Sequence, residues 1–524
     1  MADRAQQIRP LTLAGIAVAA LLVAVSAGAL LVVAANARGG AGLSASDFAA
    51  LRFTILQALV SAALSSLLAI PVARALARRQ FWCRRALILL LGAPFILPVI
   101  VAVLGLLAVF GRAGLISTLI APLGLGPINI YGFQGVVLAH VFFNLPLATR
   151  LILQGWGAIP AEHFALAASL NMRAPDVARQ LERPMLRAVL PGIFATVFLL
   201  SVASFAVVLA LGGGPRATTL ELAIYQAFRF DFDLSKAALL ALMQLTLGLI
   251  AAYFAWRFAS PAGFGAGLDR PVRRWDCQSR LQRSTDSLVL LAVTVFLVLP
   301  MAMIFLRGAA AVFELPPTVY FAAIRSLFVA VGSAFLAMLL ALPLAILVVR
   351  LEGTHTRRAG LLEAAGYLSL ATSPMVIGTG LFIVIFPLFD PARVALPLTA
   401  LVNALMSLPF VLRIIIPPIR DTEADYGALA ASLDLTGAAH FRRVLWPRIR
   451  RSAGYAAGLA AALSMGDLGV VALFADPDAA TLPLMMYRLM AAYKMEAASG
   501  AGVMLVALSL GLFWIFDRGG RAYV

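Results

Sequence analysis

Cysteine is nearly absent: Cys83 and Cys277 are the two in 524 residues. They lie far apart in basic loops with no CxxC spacing, which argues against a disulfide framework or a cysteine zinc site. Histidine is almost as scarce. His140, His163, His355 and His440 form no HExxH pattern, so no metal site is expected. Charge is also sparse, at 12% of residues against 62% apolar. A soluble chain of this length needs far more polar surface, so the composition is that of a polytopic membrane protein. No Walker-type nucleotide sequence occurs. Gly212-Gly213-Gly214-Pro215 lacks the Gly-Lys-Ser/Thr ending and reads as a helix terminator and turn. Acidic residues are few, 24 against 41 basic, giving a net charge of +17. Placement argues against nucleic acid as the partner of that charge, because arginines crowd into a few loops between apolar runs.

What is present is a series of long apolar runs. About twelve reach the roughly 20 residues a bilayer span needs: 11–34, 54–76, 86–110, 132–153, 190–211, 237–256, 287–306, 322–349, 361–388, 395–416, 452–474 and 498–516. The run from Leu11 to Ala35 is too long for a typical signal-peptide core and reads as a retained helix. With the N-terminus cytoplasmic, the inside loops hold 30 of the 41 lysines and arginines. An even number of spans and both ends inside satisfy the positive-inside bias. The segment Arg257–Asp286 has the proline, glycine and charge density of a linker.

The two sides of that linker repeat. Pro146 and Pro409, Arg150 and Arg413, Asn171 and Asp434, and Pro184 and Pro447 are all displaced by 263 residues. Thr219-Leu220 and Tyr225 recur as Thr481-Leu482 and Tyr487, displaced by 262, and Pro71 and Pro343 by 272. A near-constant offset across three spans and a loop implies two copies of one unit.

The most similar stretches are polar loops, Ala165–Pro184 (ALAASLNMRAPDVARQLERP) and Ala428–Pro447 (ALAASLDLTGAAHFRRVLWP). His163, Leu166, Ala167 and Leu170 fall at i, i+3, i+4 and i+7, as do Tyr426, Leu429, Ala430 and Leu433. The spacing predicts a short helix with an apolar stripe in each loop. Asn171 and Asp434 stand where such a helix stops, and both residue types tolerate the left-handed conformation of a helix C-terminus. A basic amphipathic stretch follows each, Ala178–Arg187 and His440–Arg451. Such a loop fits a helix lying on the anionic inner leaflet, or a plug for a soluble partner; duplication favours the plug.

Within the spans, Asp467 stands between apolar neighbours in the eleventh run. A carboxylate there costs about 2.5–3.5 kcal/mol on insertion scales. Facing a cavity or a hydrogen bond to a helix end would each offset that cost. Asn144, Asn403, Thr379 and Ser464 are expected to bond between helices. Pro94, Pro98 and Pro374 are expected to kink spans or mark their ends.

The two loops resemble the EAA loops of permease subunits in binding-protein-dependent ATP-binding-cassette (ABC) importers. The family's glutamate is replaced by Ala165 and Ala428, and its glycine by Asn171 and Asp434. Tyr131–Leu151, Ser204–Ala227, Gly466–Phe474 and Thr481-Leu-Pro483 resemble, over most of the chain, the fused permeases of bacterial thiamine importers. Fused ferric-iron permeases share the loops but match these segments less well.

The resemblance implies an all-α polytopic membrane protein of about twelve transmembrane helices in two repeated type I ABC permease halves. Its divisions would be an N-terminal segment, first helix and outer loop at 1–51; permease domains at 52–257 and 322–516; a linker at 258–286; a seventh helix and outer loop at 287–321; and a tail at 517–524. It implies no catalytic group or cofactor in this chain, ATP bound by a separate ABC ATPase dimer, and a periplasmic or surface thiamine-binding protein as a further partner. The remaining partner is membrane lipid, in the bacterial inner membrane. The residues carried over to ATPase docking are His163, Leu166, Ala167, Leu170, Asn171, Pro184, Tyr426, Leu429, Ala430, Leu433, Asp434 and Pro447. In the family the eleventh helix and its equivalent line the path. This makes Ser464 and Asp467 candidates for contact with a cation such as thiamine, with Phe205, flanked by Ser204, as the first-half equivalent of Asp467. Two other readings remain: a permease for ferric iron or another small solute, and a twelve-helix secondary transporter. A secondary transporter has no need of two matching plugs.

Overall fold

The computed structural model describes residues 9–37, 42–92, 96–257, 275–276, 279–352, 355–474 and 479–521. Pro94, Cys277 and linker residues 258–274 lie outside these. In a bilayer every backbone N–H and C=O must find a partner within the chain, and leucine-, alanine- and valine-rich runs find them by coiling into helices. The first half contains α1 (Arg9–Asn36), α2 (Ala45–Arg78), α3 (Val99–Phe110), α4 (Phe133–Gly157), α5 (Ala161–Ser169), α6 (Arg183–Val202), α7 (Ala206–Leu211), α8 (Leu220–Arg229) and α9 (Leu234–Arg257). The second contains α10 (Arg280–Gly308), α11 (Pro317–Glu352), α12 (Thr356–Ala371), α13 (Pro374–Ile385), α14 (Pro391–Ser432), α15 (Trp446–Met465), α16 (Gly469–Phe474), α17 (Leu482–Ala491) and α18 (Met495–Arg521).

Ten helices among the described residues are long and apolar enough to cross a membrane. The two other expected spans, 361–388 and 452–474, are interrupted. The first divides between α12 and α13, where Ser373 precedes Pro374 and is held extended (ψ 152°) while its hydroxyl accepts the Val376 N–H at 3.2 Å. The second divides between α15 and α16 at Gly466-Asp467-Leu468.

The repeat seen in sequence is a repeat in space. Helix α6 corresponds to α15 and α7 to α16, each displaced by 263 residues. One π-helical turn precedes α6 (Ala178–Glu182) and another, again 263 residues on, precedes α15 (Phe441–Leu445). The entry to α8 is fixed by Thr54, whose hydroxyl accepts from Leu220 N at 2.9 Å; Ser326 does the same for Leu482 N at 2.8 Å at the start of α17.

The leading helices are exchanged. Helix α1 packs on α11, α12 and α13 of the second half, and on α9; α10 packs on α2 and α3 of the first half, and on α18. Two equivalent glycines permit close crossings of these exchanged helices. A Cβ on Gly105 of α3 would lie 2.7 Å from the Pro300 carbonyl oxygen of α10, and one on Gly380 of α13 would lie 2.6 Å from the Ala29 carbonyl oxygen of α1. Small residues let helix backbones approach where lipid offers no hydrophobic incentive to pair.

Candidate functional site

Both α6 and α15 stop inside the helical bundle, and each chain resumes as a short helix after a three-residue break: Ala203-Ser204-Phe205 in one half, Gly466-Asp467-Leu468 in the other. A helix end leaves carbonyls without intrahelical partners. In the first half they are met by side chains. Gln57 donates to the Ser201 carbonyl at 3.0 Å and Gln244 to the Val202 carbonyl at 3.1 Å. In the second half Asp467 Oδ1 accepts the Gly469 N–H at 3.2 Å, starting α16.

The two breaks face one cavity of about 390 Å³. Ser204, Phe205, Ser464 and Asp467 all border it, so the structure brings the four candidate path residues together. Their pairing differs from the expected one. The 263-residue offset sets Asp467 opposite Ser204 and Leu468 opposite Phe205, because α6 and α15, and α7 and α16, share that offset without slippage. Asp467 and Phe205 still flank one small gap: a Cβ on Gly469 would lie 3.7 Å from Asp467 Oδ1 and 3.7 Å from Phe205 Cδ1. Asp467 Oδ2 is buried with no hydrogen-bond partner among the described residues.

Ser464 has other work. Its hydroxyl accepts from Asn403 Nδ2 at 3.0 Å and donates to Ser333 Oγ at 2.8 Å, tying α14, α15 and α11 together. In the first half Asn144 donates to Ser201 Oγ at 3.3 Å, and Ser61 and His140 share a 3.2 Å bond. The asparagines and Ser464 thus bond between helices as expected, whereas buried Thr379 finds no partner for its hydroxyl among the described residues. Pro98 and Pro374 mark the starts of α3 and α13. The Gly212–Pro215 segment is a turn, with positive φ at Gly213 and Gly214.

Glu221 also borders the cavity, fully buried, and sequence reasoning missed it. The signal was the break in the repeat: Thr219-Leu220 matches Thr481-Leu482, but the next position holds Glu221 in one half and Pro483 in the other. Phe143 and Phe410 add aromatic surface to the wall, and His140 adds a polar edge.

The two loops lie at the opposite ends of α6 and α15 from the breaks. Each helix stops in a Schellman motif. Met172 N–H reaches the Ala167 carbonyl at 3.0 Å and Asn171 N–H the Ala168 carbonyl at 3.0 Å; Leu435 and Asp434 make the same bonds to Ala430 and Ala431 at 2.9 and 3.3 Å. Asn171 has φ 52° and Asp434 φ 50°, the left-handed stop expected of them. The stripe is narrower than expected. Leu166 and Leu170 are 59% and 65% exposed, and Leu429 and Leu433 56% and 62%, but Ala167 and Ala430 are each only 3% exposed. The alanines pack inward beneath the motif. His163, Pro184 and Pro447 are exposed, and Tyr426 is partly covered by the Arg448 guanidinium 3.6 Å from its ring centroid.

The second loop helix is not separate. It is the end of α14, 42 residues long, whereas α5 is detached from α4. Pro160, which precedes the first-half loop helix, lacks an N–H and so cannot carry the hydrogen bond of a continuous helix at that point; its counterpart Glu423 can, although α14 also passes through Pro397, Pro409, Pro417 and Pro418. Trp275, from the linker side, packs on Phe164, Ala167 and Val177 and donates to the Met172 carbonyl at 3.4 Å.

A two-half bundle of membrane-length helices, broken at a shared internal cavity and carrying a matched exposed loop in each half, defines a multi-pass membrane permease. No family model matches the chain. It is 38% identical over 510 residues to the thiamine transport system permease protein ThiP of Brucella abortus (strain 2308), covering 95% of this chain and 93% of that protein. It is 37% identical over 531 residues to ThiP of Salmonella typhimurium, covering 99% and 98%. A molybdenum transport system permease protein, ModB of Azotobacter vinelandii, is 30% identical over 185 residues, covering 35% of this chain and 80% of its own length. The chain belongs to the ThiP family of ABC transporter permeases.

Proposed function

We propose that this chain is the membrane subunit of an ATP-driven importer that passes thiamine or its phosphate esters from a binding protein to the cytoplasm. The observation that carries the reading is the cavity between the two helix breaks, where Asp467 and Phe205 offer a carboxylate and an aromatic face to an aromatic cation. Near full-length similarity to permeases named for thiamine transport supports the substrate.

The two loops are the docking points for an ATPase dimer supplied by other polypeptides. Four exposed leucines on otherwise polar loops suit a hydrophobic seat in a soluble partner. With both termini and both loops cytoplasmic in a bacterial inner membrane, most of the arginines fall inside. The permease domains, 52–257 and 322–516, then rock against each other. ATP binding draws the ATPase subunits and the attached loops together and opens the cavity outward; hydrolysis resets it. The work of this chain is to bind, orient and occlude the substrate.

The test is uptake of labelled thiamine by cells with and without this chain, alongside labelled ferric iron. Loss of thiamine uptake alone supports the reading, and loss of iron uptake alone replaces the substrate.

A further inference from the structure

The cavity wall holds two acids, from opposite halves: Asp467 at the break before α16, and Glu221 on the first turn of α8. Glu221 is 0% exposed. Its Oε1 accepts from Gln244 Nε2 at 2.8 Å, and the same amide caps the Val202 carbonyl, so the side chain is held at the end of α6. Ser373, across the boundary between the halves, also lies within reach of the carboxylate. Glu221 Oε2 is nevertheless buried without a close hydrogen bond among the described residues, as is Asp467 Oδ2, although the Asn403 amide and the first N–H groups of α16 lie near the Asp467 carboxylate. No lysine or arginine lines the cavity among the described residues.

Two acids on one cavity wall, each with an oxygen lacking a close hydrogen bond, are a costly arrangement for a structural role alone. Buried acceptors ordinarily find donors, and buried carboxylates ordinarily find cations. We propose that Glu221 is a second substrate-binding residue, which with Asp467 forms a two-acid, two-half site for the positive charge of an organic cation. Phe143, Phe205 and Phe410 add aromatic side chains to the wall, and ring faces attract the same charge. A guest held from both halves links their relative position to occupancy, because neither acid alone closes the site.

The assignment rests on the thiamine reading and deepens it. It is tested by direct binding of radiolabelled thiamine to the importer complex in nanodiscs. A neutral analogue, with the thiazolium nitrogen replaced by carbon, competes. Glu221→Gln is expected to weaken thiamine binding about tenfold, the scale of one lost charge-assisted contact, while leaving affinity for the analogue unchanged. An equal fall for both compounds would mean that Glu221 only holds the fold, and unchanged thiamine affinity would remove it from the site; either overturns the assignment. Glu221→Asp keeps the charge and is the second variant. It is expected to retain the preference for thiamine over the analogue, and loss of that preference also overturns the assignment. Failure of the unmodified complex to bind or transport thiamine would instead reject the proposed function.

Discussion

Pro160 and Glu423 stand at the same point of the repeat, 263 residues apart, and the chain divides into two helices at one and continues as a single helix through the other. Glu423 also reaches toward His440 in the second loop, at 3.7 Å. Introducing proline by Glu423→Pro is therefore expected to cost about 3 kcal/mol, whereas Pro160→Ala costs little because the surrounding chain already accommodates a break. Thermal unfolding of the purified complex measures both, and equal shifts would contradict this account of the asymmetry.

The exposed leucines give a second expectation. With Leu166→Glu and Leu429→Glu combined, the ATPase should no longer co-purify with the chain, while the chain still inserts and keeps its melting temperature. Retention of the ATPase would move the docking face elsewhere.

Asn171 offers a test of local physics. A non-glycine residue in the left-handed region costs roughly 1–2 kcal/mol, less for asparagine. Asn171→Gly should leave stability nearly unchanged. Asn171→Val should lower it by about 1–2 kcal/mol, read as a lower melting temperature and weaker ATPase co-purification. Asp434 should repeat the pattern, since its φ is the same within a few degrees.

At the cavity, Asp467→Asn is expected to lower thiamine uptake about tenfold with assembly intact, the scale of a lost charged contact. Gly469→Ala meets Met375, Asp467 and Phe205 at ordinary contact distances of 3.5–3.7 Å and should be tolerated. Gly469→Leu should fill the space between Asp467 and Phe205 and abolish uptake. Normal uptake by the leucine variant would place the route away from this gap.

Much of this was legible in the residues, for reasons that differ from one feature to the next. Asn171 and Asp434 could be read because a helix stop is a local event with a local residue preference. The exposed leucines could be read because a 3.6-residue period is local too. Which side of that stripe faces outward was not, since Ala167 and Ala430 are turned inward by the loop's own fold, and Trp275 covers only the first. The pairing of Phe205 and Asp467 was anticipated as an equivalence between halves. They instead border the same gap from opposite halves, which a repeat offset cannot reveal. Glu221 was hidden because its significance lies in where packing puts it, on the same cavity wall as Asp467, and only the packed structure exposes that.

The exchange of leading helices has a consequence for how the molecule moves. In the proposed rocking, α1 would travel with the second half and α10 with the first, so each moving part would be assembled from two separated stretches of sequence. Were the linker severed, neither fragment would be a complete half. Each would carry an arm belonging to the other's body, and the two could regain their packing only by embracing. The covalent link then serves less to hold the halves together than to fix their ratio at one to one.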